Sequence, residues 1–478
     1  MAPNVEESAF FKDARAQGRP VTKDPPKFDF ESYLSNYEGR TRLERLLLIG
    51  STSTYLSTDA LRTAVFEARS GKDIDMYNIL TDRLHSVDPS DGLGVPDTMW
   101  LERKTKEVKA EMEALEGQLK QYKNNLIKES IRVWPIMGYD DLGQFYTSIG
   151  DHNSAMKAFA RERDYCTSTQ HVADMSLKQI YSGIQSRSWT SVHSNVAKIQ
   201  PMSLKAEDKA KMEPICAAVM GLSHLSSGNF REAARQFLSV HPSFMTAEPQ
   251  AGIKWQHQVL TGNDIAVYGG LCALASMDRS ELRSNVLENK NFRDFLELEP
   301  HVRRAISQFC STKYTQCLEI LEAYRTDYLL DLYLHGCVKD LYSQIRSKSI
   351  VEYFVPFSCV TLEEMEKAFA STGGVSMEDE LVEMIQRGVL NARINLVERT
   401  LVAPPTDPRT EAHADALRMA EDYERALRLR LLRINMLSEG LVVRQPQNQH
   451  QSSASFNHGQ AGDLQGVSYI GPMNQEPF

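Results

Sequence analysis

Gly143-Gln144-Phe145-Tyr146-Thr147-Ser148-Ile149-Gly150-Asp151-His152-Asn153-Ser154-Ala155-Met156-Lys157-Ala158-Phe159 is written a second time in this chain, in degenerate form, as Gly221 to Phe237. Gly143, Gly150, Ala155 and Phe159 return as Gly221, Gly228, Ala233 and Phe237, each displaced by 78 residues. These are the small and aromatic positions of a tetratricopeptide-like helix pair. Glycine permits a turn or a close helix approach, alanine keeps the helices near, and phenylalanine fills the groove between them. Two periods of about forty residues fit one further pair between the copies. Leu177 to Ile184 and Thr190 to Ile199 supply it, with Trp189 near the turn. More pairs are expected in Asp264 to Ala275 with Arg279 to Glu288, and in Val302 to Phe309 with Thr315 to Arg325. The fold class follows: mainly α, with a right-handed, TPR-like helical-repeat solenoid over residues 136–340, each pair burying its apolar face only against its neighbours.

Upstream, residues 28–135 read as an N-terminal helical region. In Arg42 to Ile49 the side chains of Leu43, Leu46 and Leu47 share a face between charged neighbours. Between Trp100 and Arg132, Val108, Met112, Leu115, Leu119, Tyr122 and Leu126 step by threes and fours, which predicts one long helix with a heptad seam. Its Lys/Arg are interleaved with Glu, the pattern of a solvated face rather than a nucleic-acid stripe. Residues 1–27 carry Pro20, Pro25 and Pro26 among mixed charges and are expected to be a flexible lead-in.

Downstream, residues 341–405 change grammar. Leu341, Ile345 and Ile350 open a short helix, and Thr361-Leu362-Glu363-Glu364 is a capping box that starts a second. Ser376 with Asp379 begins a third, which stops at Gly388. Leu390, Ala392 and Ile394 then alternate with polar residues, and Arg399 to Val402 returns before Pro404-Pro405. Three helices and a hairpin predict a winged helix. Its exposed sheet edge, marked by Leu390, Ala392, Ile394 and Leu401, is the expected interface for lateral assembly with like domains. A long C-terminal helix follows within residues 406–440. Its stripe of Leu417, Ala420, Tyr423, Leu427, Leu431, Ile434 and Leu437 demands a partner surface and is the second expected subunit interface. Residues 441–478 are Gln-rich and nearly uncharged, the composition of a disordered tail.

Composition and motifs narrow the function. Hydrophobic residues make up 42% and charged residues 24% of the 478, an ordinary globular balance. A net charge of -9 gives no general attraction for nucleic acid or anionic membrane. The third helix of the winged domain, the usual groove reader, carries Glu378, Asp379, Glu380 and Glu383 against Arg387 alone, which disfavours a nucleic-acid partner. No apolar run is long enough for a membrane span; Ala266 to Ala275, with Gly269 and Gly270 inside it, is the longest. Cys166, Cys216, Cys272, Cys310, Cys317, Cys337 and Cys359 form neither CxxC nor disulfide spacing, so reduced intracellular thiols are expected. His152, His171, His193 and His224 lie scattered in repeat text, and no HExxH, phosphate-binding loop or GxSxG is written. Gly373-Gly374 reads as a turn. The expectation is a protein without catalytic residues, bound metal or cofactor.

Helical repeats running into a winged helix resemble the PCI module, shared by the signalosome, the proteasome lid and a translation initiation factor. Val267-Tyr268-Gly269-Gly270-Leu271-Cys272-Ala273-Leu274, Phe295-Leu296-Glu297-Leu298-Glu299-Pro300, Leu341-Tyr342-Ser343-Gln344-Ile345-Arg346, and Gly150-Asp151 through Arg163-Asp164-Tyr165-Cys166 are similar to the first-subunit family of the COP-nine signalosome. The equivalent proteasome-lid family is less similar at Gln344-Ile345-Arg346 and Tyr353-Phe354. The resemblance implies a non-catalytic scaffold in the complex that deneddylates cullins and regulates cullin-RING ubiquitin ligases. The implied partners are the other PCI-domain subunits, the metalloprotease-bearing subunits reached through a helical bundle, and cullin-RING ligases as substrate. A soluble protein of nucleus and cytoplasm is the corresponding expectation.

Overall fold

The structure is a computed structural model, and it describes residues 8–126, 133–166, 168–369, 376–404 and 408–441. The turn expected at Gly373-Gly374 and the tail beyond Leu441 lie outside the described residues. The chain divides into two compact units, Met1–Pro404 and Pro405–Phe478.

The first unit opens with α1 (Ala9–Ala16), α2 (Phe30–Ser35), α3 (Gly39–Thr52), α4 (Ser57–Ser70) and α5 (Ile74–Val87). They share a core that includes Leu46, Ile49, Leu61, Val65, Tyr77 and Leu80. The flexible lead-in expected for residues 1–27 is corrected here for residues 8–27. Phe11 is completely buried in that core. The Thr22 amide donates to the Thr52 carbonyl at 2.9 Å, and the Thr54 amide to the Thr22 carbonyl at 3.0 Å. Prolines end helices, but they leave an extended segment free to lie against the end of another helix.

α6 (Thr98–Leu126) is the long helix. Its Trp100 packs on Tyr77 with ring centroids 4.5 Å apart. Further along, Leu119 and Leu115 meet Tyr139 and Leu142 of the next helix, so this part of the seam is covered within the chain.

The repeats follow as α7 (Val133–Ser148) and α8 (His152–Glu162), α9 (Thr169–Gln185) and α10 (Trp189–Ile199), and α11 (Ala206–Ser226) and α12 (Phe230–Leu238). The repeat glycines have two distinct uses. Gly150 and Gly228 lie just beyond α7 and α11 at φ of 85° and 76°, the left-handed turn that ends a helix. Gly143 and Gly221 instead face the second helix of their pair. A Cβ on Gly221 would stand 2.8 Å from the Phe237 ring, and one on Gly143 would collide with Phe159. In the intervening pair Gly183 repeats the arrangement, 3.0 Å from Val192 by the same measure. Helix-pair spacing is therefore set by a missing side chain against a large one.

After α13 (Trp255–Gln258) comes α14 (Gly262–Ser276), started by a Thr261–Asp264 capping box and almost wholly buried. The expected pairing of α14 with Arg279 to Glu288 needs correction. That stretch is a short α15 (Arg279–Glu281) running into a π-helical segment, Leu282–Leu287. The main cover of α14 comes from α12, from α16 (Lys290–Leu298) and from α20 (Val338–Phe354), with α17 (Pro300–Cys310) beside them. The glycines explain the choice: Phe292 of α16 lies against Gly269, and Val302 of α17 against Gly270. α17 pairs with α18 (Tyr314–Ala323), and α19 (Arg325–Leu329) leads to α20 (Val338–Phe354). The opening helix of the winged domain is thus longer than expected.

The winged helix continues with β1 (Cys359–Thr361), α21 (Leu362–Ala368), α22 (Met377–Gln386), β2 (Arg393–Asn395) and β3 (Thr400–Val402). Its sheet is antiparallel in the order β1-β3-β2, with Val360 and Ile394 each opposite Leu401. The expected two-stranded hairpin is therefore a three-stranded sheet. Thr361 both ends β1 and caps α21, accepting from the Glu364 amide at 3.3 Å. The solenoid and winged helix share one continuous core from Ala173 to Leu401, the fold class the repeats predicted.

The second unit contains α23 (Pro408–Ser438), 31 residues long. Gly440, at φ of 68°, follows its end.

Candidate assembly surfaces

Arg45, on α3 in the first unit, is completely buried. It was expected among the charged neighbours of an apolar face. Instead it donates to Asp331 at 2.7 Å, to Asp264 at 3.1 Å and to the Tyr33 hydroxyl at 2.5 Å, and its guanidinium lies 4.0 Å from the Tyr37 ring centre. Tyr37 donates to Asp264 at 2.7 Å and Tyr268 to Asp331 at 2.6 Å. Burial alone would draw the Arg45 pKa down, but Asp264 and the other acidic groups around it hold it well above the ordinary value. For Asp331 burial works upward, yet Arg45, Tyr268 and the Leu334 amide outweigh it and keep the carboxyl below its usual range. The cluster therefore rivets the N-terminal helices to α14 and to the turn after α19. Lys27 adds a second tie through its amide to Asp327 at 2.9 Å, with its ammonium 4.2 Å from the Tyr324 ring centre.

The scattered histidines do not converge. His152 begins α8 in a buried position, and burial followed by the nearby Arg40 lowers its pKa to about 4, so its ring is neutral at pH 7. His193 and His224 meet edge to face across α10 and α11 at 4.9 Å. Burial, then His193, lowers the pKa of His224. Among the described residues no group of three His, Cys, Asp or Glu side chains is arranged to hold a metal, and no helix is long and apolar enough to cross a membrane.

On the winged helix, Leu390, Ala392 and Leu401 prove to be part of the domain's own core, and Ile394 packs against that core half-buried. The expected role as interface side chains is corrected for Leu390, Ala392 and Leu401, while Ile394 keeps part of its surface open. The alternation that marked the hairpin in sequence also turns those residues inward. What this edge offers instead is the outer backbone of β2 and the tip after it, where Val397 is 95% exposed beside exposed Leu396. Asn395 shapes that tip by accepting from the Val397 amide at 3.1 Å. On α22, Glu380 is held by Arg346 through two contacts of 2.7 and 3.1 Å, with Arg346 also donating to the Phe369 carbonyl. One of the four acids thus fastens α22 to α20, while Asp379 and Glu383 remain at the surface. A phosphate backbone would meet net negative charge there.

α23 behaves differently. Leu417, Ala420, Tyr423, Leu427, Leu431, Ile434 and Leu437, the predicted stripe, are all exposed. A second group, Leu429, Leu432 and Met436, is exposed as well and was not anticipated, because arginines interrupt it in sequence. Single exposed apolar residues are ordinary on protein surfaces, whereas these form rows along one helix.

The family profile described as 26S proteasome subunit RPN7 matches residues 97–285, and the PCI domain profile matches residues 321–405. The chain is 48% identical over 432 residues to COP9 signalosome complex subunit 1 of Emericella nidulans, covering 88% of this chain and 84% of that protein. It is 38% identical over 425 residues to the protein of the same name from Arabidopsis thaliana, covering 88% and 92%. Similarity to the 26S proteasome regulatory subunit RPN7 of Saccharomyces cerevisiae is lower, 22% over 264 residues, covering 54% and 58%.

Proposed function

We propose that this chain, which belongs to the COP9 signalosome complex subunit 1 family, is a non-catalytic scaffold of the signalosome, the complex that deneddylates cullins and so regulates cullin-RING ubiquitin ligases. The observation that carries this reading is the exposed apolar stripe of α23, from Leu417 to Leu437, where the repeat helices from α9 onward bury theirs in one core. In this reading α23 enters a helical bundle with the metalloprotease-bearing subunits. The winged helix meets other PCI-domain subunits through the open edge of β2 and its tip. Cullin-RING ligases are the substrate of the assembled complex, in nucleus and cytoplasm. The carboxylates of α22 favour protein partners over nucleic acid.

Deletion of residues 410–440 tests the reading directly. The truncated chain is expected to keep the helical circular-dichroism signal of its first unit and to disappear from the complex when a companion subunit is purified by its tag. Undiminished recovery of the truncated chain would sink the proposal. Recovery with proteasome-lid companions instead would move the chain to the related lid complex.

A further inference from the structure

The bundle reading treats α23 as an amphipathic helix with one apolar face. Its surface changes along its length. At 3.6 residues per turn, Ala420, Tyr423, Leu427, Leu431 and Ile434 fall in one row. Leu429, Leu432 and Met436 fall in another, about 200° around the helix from the first at Leu427 and Leu429. The second row has no apolar continuation toward the N-terminus, where its positions are taken by Arg425, Asp422 and Arg418. So α23 is one-sided up to Tyr423 and two-sided from Leu427 onward. Both rows are open, with Leu432 57% and Ile434 58% exposed.

Charge changes at the same place. From Glu424 to Ser438 the helix carries Arg425, Arg428, Arg430 and Arg433 against Glu424 alone. Arg428 pairs with Glu424 and Arg425 with Asp422. Arg428, Arg430 and Arg433 stand in the seams between the two rows, the flanking position from which side chains reach a neighbouring helix.

We infer that the last three turns of α23 are sandwiched between two helices of partner chains, each packing on one apolar row and each bearing Asp or Glu beside its own apolar stripe. This rests on the assembly role proposed for α23 and specifies its neighbours. Two alternatives fit the pattern less well. A second copy of α23 in parallel would set its arginines beside these. An antiparallel copy in full overlap, centred on Tyr423, would lay Leu429 beside the polar Arg418 and Met436 beside the polar Glu411. A flat anionic lipid surface would accept one row and leave the opposite one in water.

The test places a photo-crosslinking amino acid at Leu429 or at Ile434 of the full-length chain, co-expressed with the companion subunits of its complex. Crosslinked peptides from the two positions are expected to map to two different segments, both amphipathic and acid-flanked. Crosslinks from 434 alone, or from both positions to one segment, overturn the sandwich while leaving the scaffold role standing. Crosslinks from neither position remove both. Crosslinks between copies of this chain, or binding of the purified chain to phosphatidylserine vesicles that Leu429→Asp/Leu432→Asp abolishes, would assign the second row to a different occupant. The triple variant Arg428→Glu/Arg430→Glu/Arg433→Glu is expected to lower incorporation about tenfold at low salt and less at high salt. Unchanged incorporation would refute acidic neighbours. Circular dichroism of each purified variant confirms that the helix is retained.

Discussion

The repeat helices and α23 are written with the same three-and-four spacing of apolar residues, yet one set is buried and the other is not. In the repeats, each stripe comes with its cover: Gly221 leaves space and Phe237, sixteen residues on, fills it. α23 has rows of leucine and no following helix within the described residues. The spacing of a stripe reports that a partner is needed. The small and large residues that accompany it report whether the partner is in the same chain.

Three substitutions put that difference under strain. The largest effect is expected at Arg45→Met, which strands Asp264 and Asp331 without their cation in a closed interior. Loss of one partner of a buried ionic cluster costs about 3–5 kcal/mol. Chemical denaturation should show the midpoint falling sharply, with partial recovery when Asp264→Asn and Asp331→Asn are added. A midpoint within error of the parent would mean that the N-terminal helices are not riveted as described. Next comes Gly221→Ala, whose methyl would stand 2.8 Å from the Phe237 ring. Overpacking of this kind costs about 1–3 kcal/mol. The companion change Phe237→Leu should relieve part of it, and strict additivity of the two would contradict the contact. The smallest effect is expected at Leu432→Ser on α23, within about 0.5 kcal/mol for the isolated chain. A large loss of thermal stability there would show that α23 already has its cover and would erase the contrast between the regions.

What was legible in the sequence follows from how local each contact is. The glycine and phenylalanine of a repeat lie within one helix pair, so their lag of 16 residues is visible twice. β1 was missed because its three residues form a strand only by pairing with Thr400 to Val402, some forty residues later. Phe11 was missed because prolines nearby suggested looseness, whereas its burial depends on a surface built by α3 to α5. Arg45 was read as solvated because a charge beside leucines usually is; its partners Asp264 and Asp331 are 219 and 286 residues away. At the winged helix the alternation of Leu390, Ala392 and Ile394 was seen but assigned to an exposed sheet edge, whereas Leu390 and Ala392 lie before β2 and are buried in the core. The second row of α23 was hidden by its arginines, and counting positions around the helix rather than along the chain would have found it.

The distance between Arg45 and Asp331 also has a consequence for how the protein is made. At about 5–20 residues per second, a ribosome needs roughly a quarter of a minute to one minute to move from the first of these codons to the second. Throughout that interval the nascent N-terminal helices hold a cation whose two carboxylate partners are incomplete as a set, and the site cannot close. Maturation of the amino end must wait for translation to pass Asp331, more than two-thirds of the way along the 478 residues, and chains released before it should be the ones that chaperones and proteases capture.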